Sequence, residues 1–152
     1  MGSKDVLSEI KLSACEGTSM IHEIHLQSKH RDEMIDITAQ VEKLLAQENV
    51  QEGLAVVYSS HTTAGITINE NADPDVQRDI LARLEEICPR NRVGDRHIEG
   101  NSAAHLKASM VGTSQTIIIQ NGRLLLGRWQ GIYFCEFDGP RERTVYAKII
   151  EG

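Results

Sequence analysis

A chain of 152 residues, 40% hydrophobic and 25% charged, is long enough to bury a continuous core and too ordinary in composition to be disordered or fibrous. Its formal net charge of −6 argues against nucleic acid as a partner, because binding a phosphate backbone rests on Lys and Arg displacing counterions. No apolar run approaches the roughly 20 residues that span a bilayer, and the three cysteines, Cys15, Cys88 and Cys135, lack CxxC spacing, so no membrane and a cytoplasmic, reducing address are expected.

No repeat, low-complexity tract or linker divides the chain, which predicts a single domain over residues 1–152. Val6, Ser8, Ile10 and Leu12 alternate with more polar neighbours. Past Gly17, Met20, His22, Ile24 and Leu26 share a second alternating face, so the two runs predict a hairpin. His25 and His30 are expected to face solvent. Ile37, Val41, Leu44 and Leu45 follow helical spacing, with Asp36 and Thr38 as candidate caps. The β-rich runs LAVVYSS and AGITINE flank His61 and place it at a strand junction.

Asp73 as cap and Pro74 at the first helical position open a second helix that ends before Pro89. Its expected buried stripe is Val76, Ile80, Leu84 and Ile87, with Asp79 and Arg83 as an exposed pair. After the loop RNRVGDRHIEGN comes a short helix, SAAHLKASMVG, capped by Asn101 or Ser102. Leu106 and Met110 are expected to face the core and His105 a polar side. Asn121-Gly122 between QTIIIQ and RLLLGRW is a type I′ hairpin signal, and QGIYFCEFDGPR and RTVYAKII supply the last strands. Strands arriving mainly as hairpins predict an α+β fold, with about three helices packed on a mixed, largely antiparallel sheet.

His61, His97 and His105 occur on three separate elements. Neutral imidazole is the commonest zinc ligand and catalytic zinc takes three protein ligands, but the spacing equally fits three hydrogen-bonded or partly exposed histidines. Glu136 and Asp138 lie two apart at the end of an apolar strand. Either one carboxyl has a raised pKa suited to acid/base work, or Arg141 or Arg143 neutralises the pair structurally. Trp129 reads as a core anchor or as a platform for an aromatic ligand. Arg90, Arg92 and Arg96 form a local basic cluster suited to one small phosphate or simply to solvent.

Three segments, SSHTTAGITINENADPDV, HIEGNSAAHLKASMVG and NGRLLLGRWQGIYFCEFDGPR, occur in an order that resembles the YjbQ family, described as secondary thiamine-phosphate synthases. The resemblance implies a compact α+β sandwich that assembles as a homotrimer. It also implies a metal site at His61, His97 and His105, with zinc as the expected ion and magnesium as the companion of a pyrophosphate substrate. Glu70 and Asn71 match the family's NEN segment, Trp129 and Gln130 its WQ segment, and Glu136 and Asp138 its EFD segment. Glu136, Asp138 and Glu70 are therefore the expected catalytic groups. Asn71, Arg96, Trp129, Gln130 and Arg141 are the expected contacts to a small phosphorylated metabolite. The implied reaction joins a pyrimidine pyrophosphate to a thiazole phosphate. The competing expectations are a metal-dependent hydrolase of a small metabolite, with Glu136 or Asp138 accepting a proton from zinc-bound water, and a non-catalytic metabolite-binding module.

Overall fold

The computed structural model describes residues 20–152, so the first expected strand, the Gly17 region and Cys15 lie outside the described residues. In chain order the elements are β1 (Ile21–Gln27), β2 (Glu33–Asp36), α1 (Thr38–Glu48), β3 (Gly53–Ser59), β4 (Ala64–Glu70) and α2 (Pro74–Ile87). There follow α3 (Ser102–Val111), β5 (Ser114–Gln120), β6 (Arg123–Leu124), β7 (Gln130–Glu136) and β8 (Glu142–Glu151). The strands form a five-stranded sheet in the order β1-β8-β3-β5-β6 and a three-stranded sheet in the order β2-β7-β4. Every pairing among the described residues is antiparallel, as the hairpin-rich sequence implies.

Ala55, Val57, Ile117, Ile119, Val145 and Ile149 of the larger sheet meet Ala64, Ile66, Ile132 and Phe134 of the smaller in the main core. Ile37, Val41 and Leu45 of α1 complete it, which is the stripe expected from the sequence. The opposite face of β7, Tyr133 and Cys135, packs with Phe137, Ala104 and Ala108 in a second core that Leu81 and Leu84 of α2 flank. The smaller sheet is thus covered on both faces, which is why β7 reads as a continuous apolar run.

Several local expectations are met. Asp73 accepts a hydrogen bond from the Asp75 N–H at 2.9 Å, with Pro74 beginning the helix. Asn121 and Gly122 have φ of 53° and 71°, both in the left-handed region that the type I′ turn demands. β6, however, holds only Arg123–Leu124, because its pairing with β5 stops after two residues.

Two helix faces differ from expectation. Leu106 and Met110 are 51% and 52% exposed, and α3 instead buries Ala103, Ala104, Lys107 and Ala108. Small alanines let α3 sit close on β4 and against the Tyr133 and Cys135 side chains of β7, and Lys107 reaches inward because two carboxylates meet it there. On α2 none of Val76, Ile80, Leu84 and Ile87 is fully buried, and Ile87 is 62% exposed. Asp79 and Arg83 do not pair with one another; Asp79 takes Arg78 at 3.2 Å and Arg83 takes Glu86 at 3.5 Å.

Candidate functional site

His61 follows β3, whose ladder with β8 stops at Ser59 opposite Val145. The backbone of Thr144, next on β8, has no further β3 partner and meets the imidazole instead: its N–H lies 3.0 Å and its carbonyl oxygen 3.1 Å from His61 Nε2. Burial, then the Arg143 guanidinium, hold the His61 pKa below the ordinary imidazole value. The tautomer that accepts the Thr144 N–H at Nε2 carries its proton on Nδ1 and can donate it into the cleft, whereas the one that donates from Nε2 to the Thr144 oxygen leaves Nδ1 as an acceptor. Phe134 buttresses the ring edge-on, with centroids 6.5 Å apart.

α3 forms the opposite wall. A Cβ at position 65 would lie 2.6 Å from the Gly112 carbonyl oxygen, so glycine there lets β4 approach the end of α3, and the Ile66 N–H donates to that same oxygen. His61 and His105 consequently line one cavity of about 370 Å³ with Tyr58, Ser60, Thr62 and Ser109. His97, on the exposed loop between α2 and α3, stands edge-on to His105, with ring centroids 5.1 Å apart. The three histidines named from the sequence are therefore neighbours. Their donors do not fit a metal as they stand: His61 Nε2 is occupied by the backbone, His97 Nε2 lies 3.6 Å from Glu99, and no group of three or more His, Cys, Asp or Glu among the described residues is gathered for an ion.

Behind His61 lies a saturated ionic cluster. Glu136 is fully buried and accepts from Arg143 Nε at 2.9 Å, Arg143 Nη2 at 2.5 Å, Ser28 Oγ at 2.7 Å and the Phe137 and Asp138 N–H groups. Arg143 also donates to Thr63 Oγ1 at 2.8 Å. Burial pushes the Glu136 carboxyl up, but the bonds from Arg143 and Ser28 outweigh it and hold the group below the ordinary carboxylate range. Of the two alternatives posed by the sequence, the arginine-neutralised one describes this geometry. Asp138 accepts from Arg141 Nη2 at 3.0 Å and from Asn101 Nδ2 at 2.8 Å. It thereby ties the last turn before β8 to the start of α3, and so fixes the wall that carries His105.

The remaining candidates lie elsewhere. β4 and β7 each run seven residues, about 20 Å, and Glu70, Asn71, Trp129 and Gln130 gather at the end away from His61 and Glu136. Asn71 Nδ2 donates to Asp36 Oδ2 at 3.2 Å, and Gln130 Oε1 accepts from the Gly127 N–H at 2.7 Å. Trp129 is 53% exposed beneath the Arg128 guanidinium, 4.7 Å from the ring centroid, so it is not a core anchor. Arg96 is exposed on the loop that carries His97.

Sequence reasoning missed Lys107. Its ammonium is fully buried and donates to Asp32 Oδ2 at 3.0 Å and Glu85 Oε2 at 2.5 Å, binding α3 to α2 and to the β1–β2 turn. The available signal was a lone lysine among alanines in a helix with few other polar residues. Cys88 and Cys135 are free and buried, and burial pushes the Cys135 thiol up to about 12.

The family model described as UPF0047 protein YjbQ-like matches residues 22–152. The chain belongs to the YjbQ (UPF0047) family. It is similar to the UPF0047 protein YugU of Bacillus subtilis, 57% identical over 131 residues, covering 86% of this chain and 99% of that protein. A UPF0047 protein of Methanocaldococcus jannaschii is 52% identical over 86% of this chain and 94% of its own length. Among solved structures, a YjbQ/UPF0047 protein of Clostridium acetobutylicum superposes with a TM-score of 0.82 at 59% identity, covering 85% of this chain and 99% of that one. A YbjQ-like protein of unknown function from Sulfolobus solfataricus superposes with a TM-score of 0.84 at 31% identity over 88% and 97% of the two chains. Membership thus spans both sheets and all three helices, and with them the histidine cleft and the amide-lined end.

Proposed function

We propose that the cleft between the β3–β4 turn and α3 is the active site of an enzyme acting on a small phosphorylated metabolite, with His61 and His105 as its principal polar groups. The observation that carries this reading is the convergence of two imidazoles from separate elements on one cavity that also holds the hydroxyls of Ser60, Thr62 and Ser109.

The reaction we propose is the one the family resemblance implies. The lone pair of a thiazole nitrogen forms a bond to the methylene carbon of the pyrimidine pyrophosphate, the carbon–oxygen bond breaks, and pyrophosphate departs with that electron pair. No proton is consumed. The demand on the protein is to stabilise charge growing on the leaving oxygens, which His61 in the tautomer protonated at Nδ1 and the cleft hydroxyls are equipped to meet. A divalent metal, zinc or magnesium, is assigned no step.

Incubating the protein with the two phosphorylated substrates and detecting thiamine phosphate is the test. Turnover reduced at least about 100-fold in His61→Ala and His105→Ala, with folding intact, is expected. No turnover by the wild type, or undiminished turnover in both variants, would sink the proposal. The competing metal-dependent hydrolase is separated by elemental analysis of tag-free protein: stoichiometric zinc that disappears in both variants would replace direct imidazole chemistry with a metal-held group.

We further propose the homotrimer that the resemblance implies. What supports an oligomer is the open apolar groove on α2, lined by Val76, Ile80, Leu84 and Ile87, together with the full exposure of Val93 and Ile98 on the adjoining loop. Sedimentation equilibrium of the wild type and Ile80→Glu checks it, with loss of the trimer mass expected in the variant.

A further inference from the structure

Residues 60–63 turn the chain from β3 into β4 and carry His61 to the cleft. Thr62 lines the cavity, whereas Thr63 is 5% exposed and is not among the lining groups. A ligand in the cleft therefore does not meet Thr63, and any influence of that side chain on the site passes through its neighbours.

What Thr63 meets is the buried ion pair. Arg143 spans the Glu136 carboxylate with Nε on Oε1 at 2.9 Å and Nη2 on Oε2 at 2.5 Å, a fork that fixes the plane of the guanidinium. The second hydrogen on Nη2 then has a set direction, and Thr63 Oγ1 accepts it at 2.8 Å. Arg143, Glu136 and Thr63 are all buried, so bulk water does not compete for that hydrogen, and a cationic donor makes the bond about twice as strong as a neutral one. The Thr63 carbonyl also accepts the Phe137 N–H, at 3.2 Å and from a neutral donor.

β8 holds the same turn a second time. Thr144 follows Arg143, and its N–H and carbonyl oxygen flank His61 Nε2 at 3.0 and 3.1 Å. The strand thus grips Thr63 with the side chain of one residue and His61 with the backbone of the next. Other support for the ring is slighter: the His61 N–H reaches Ser59 Oγ at 3.3 Å, and Phe134 meets the imidazole edge-on. An imidazole held by Thr144 alone follows any shift of its own backbone, and the bond at Thr63 fixes that backbone two residues on. Valine would fill the same volume in so buried a place, so the hydroxyl is the feature that calls for a reason.

We propose that Thr63 is a positioning residue for His61: its hydroxyl couples the buried Glu136–Arg143 pair to the β3–β4 turn, keeping one imidazole nitrogen on the Thr144 backbone and leaving the other to the cleft. The inference rests on the reading of that cleft as the working site, and not on the reaction assigned to it.

Thr63→Val and Thr63→Ser test it through the imidazole nitrogen NMR signals of His61 at about pH 8, where a ring held below its ordinary 6.5 is neutral. Thr63→Val keeps the volume and removes the acceptor; it should shift both ring signals toward the average of the two tautomers, and Thr63→Ser should return them to the wild-type positions. In the assay for thiamine phosphate the valine variant should lose about tenfold in kcat with KM unchanged, and the serine variant should lose neither. A threonine that served stability alone would leave the ring signals where they are. Wild-type ring signals in a folded Thr63→Val, or a serine variant as perturbed as the valine one, would overturn the role. Where Thr63→Val does not fold, the wild type decides: the Arg143 Nη hydrogens should be separately resolved and slow to exchange, and averaged ones would remove the brace. The ring signals need no substrate, so they judge Thr63 even if thiamine phosphate is never formed.

Discussion

The two ends of the three-stranded sheet use polar residues in opposite ways. At the Ala64 and Glu136 end, charge is sealed inside: the Glu136 oxygens and the Arg143 guanidinium are engaged by protein groups, and the cavity beside them is faced by the uncharged groups of Ser60, His61, Thr62, His105 and Ser109. At the Glu70 and Gln130 end, carboxylate and amides are oriented by neighbours but keep hydrogen-bonding capacity toward solvent. A saturated buried network fixes geometry and has nothing left to give a ligand, whereas oriented groups with open valences can bind one. Glu136, which stands in an acidic family segment, is engaged by Ser28, Arg143 and two backbone N–H groups.

The contrast is broken most severely at Arg143. Arg143→Met strands a carboxylate that is 0% exposed and is expected to cost about 3–5 kcal/mol in urea unfolding at pH 7. Adding Glu136→Leu to that variant should restore most of the loss, because removing both charges ends the desolvation penalty. Lys107→Met should cost less, about 1–3 kcal/mol, because Glu85 is half-exposed and water can take the place of the lost ammonium.

At the other end, Gly131→Ala is expected to cost about 1–3 kcal/mol and to displace the Asn71 side chain, with amide shifts confined to that end and none around His61. An effect spreading to the histidine cleft would dissolve the distinction between the two ends.

Acid titration sharpens the comparison with the smallest effect. His61 is held below its ordinary 6.5, so the unfolded chain takes up a proton that the fold refuses, and stability declines as pH drops below about 6.5. Glu136 is held below its ordinary 4.5, so its contribution is complete above that value and is lost as pH falls through the lower folded pKa. Calorimetry from pH 7.5 down to about 2 should show both declines in the wild type, and only the second in His61→Phe.

Much of this was legible from local patterns. The α1 stripe, the Asp73 cap, the Asn121-Gly122 turn and the hairpin-built sheets follow from periodicity and backbone conformational preference, which act over a few residues. The three histidines were also named from sequence, and their segments carried the family. The inward face of α3 was not legible: helical spacing favours Leu106 and Met110, but the fully desolvated Lys107 is met by Asp32 and Glu85, carboxylates 75 and 22 residues away.

The partition of the candidate residues was equally hidden. Gln130 and Glu136 are six apart in sequence and were grouped as one site, yet an extended strand sets them about 20 Å apart. The sequence by itself determined which elements form and which side chains are available to them. Only the tertiary structure decided which side chains meet, because a strand separates its ends by its length while sheet pairing and helix packing bring distant segments within hydrogen-bond reach.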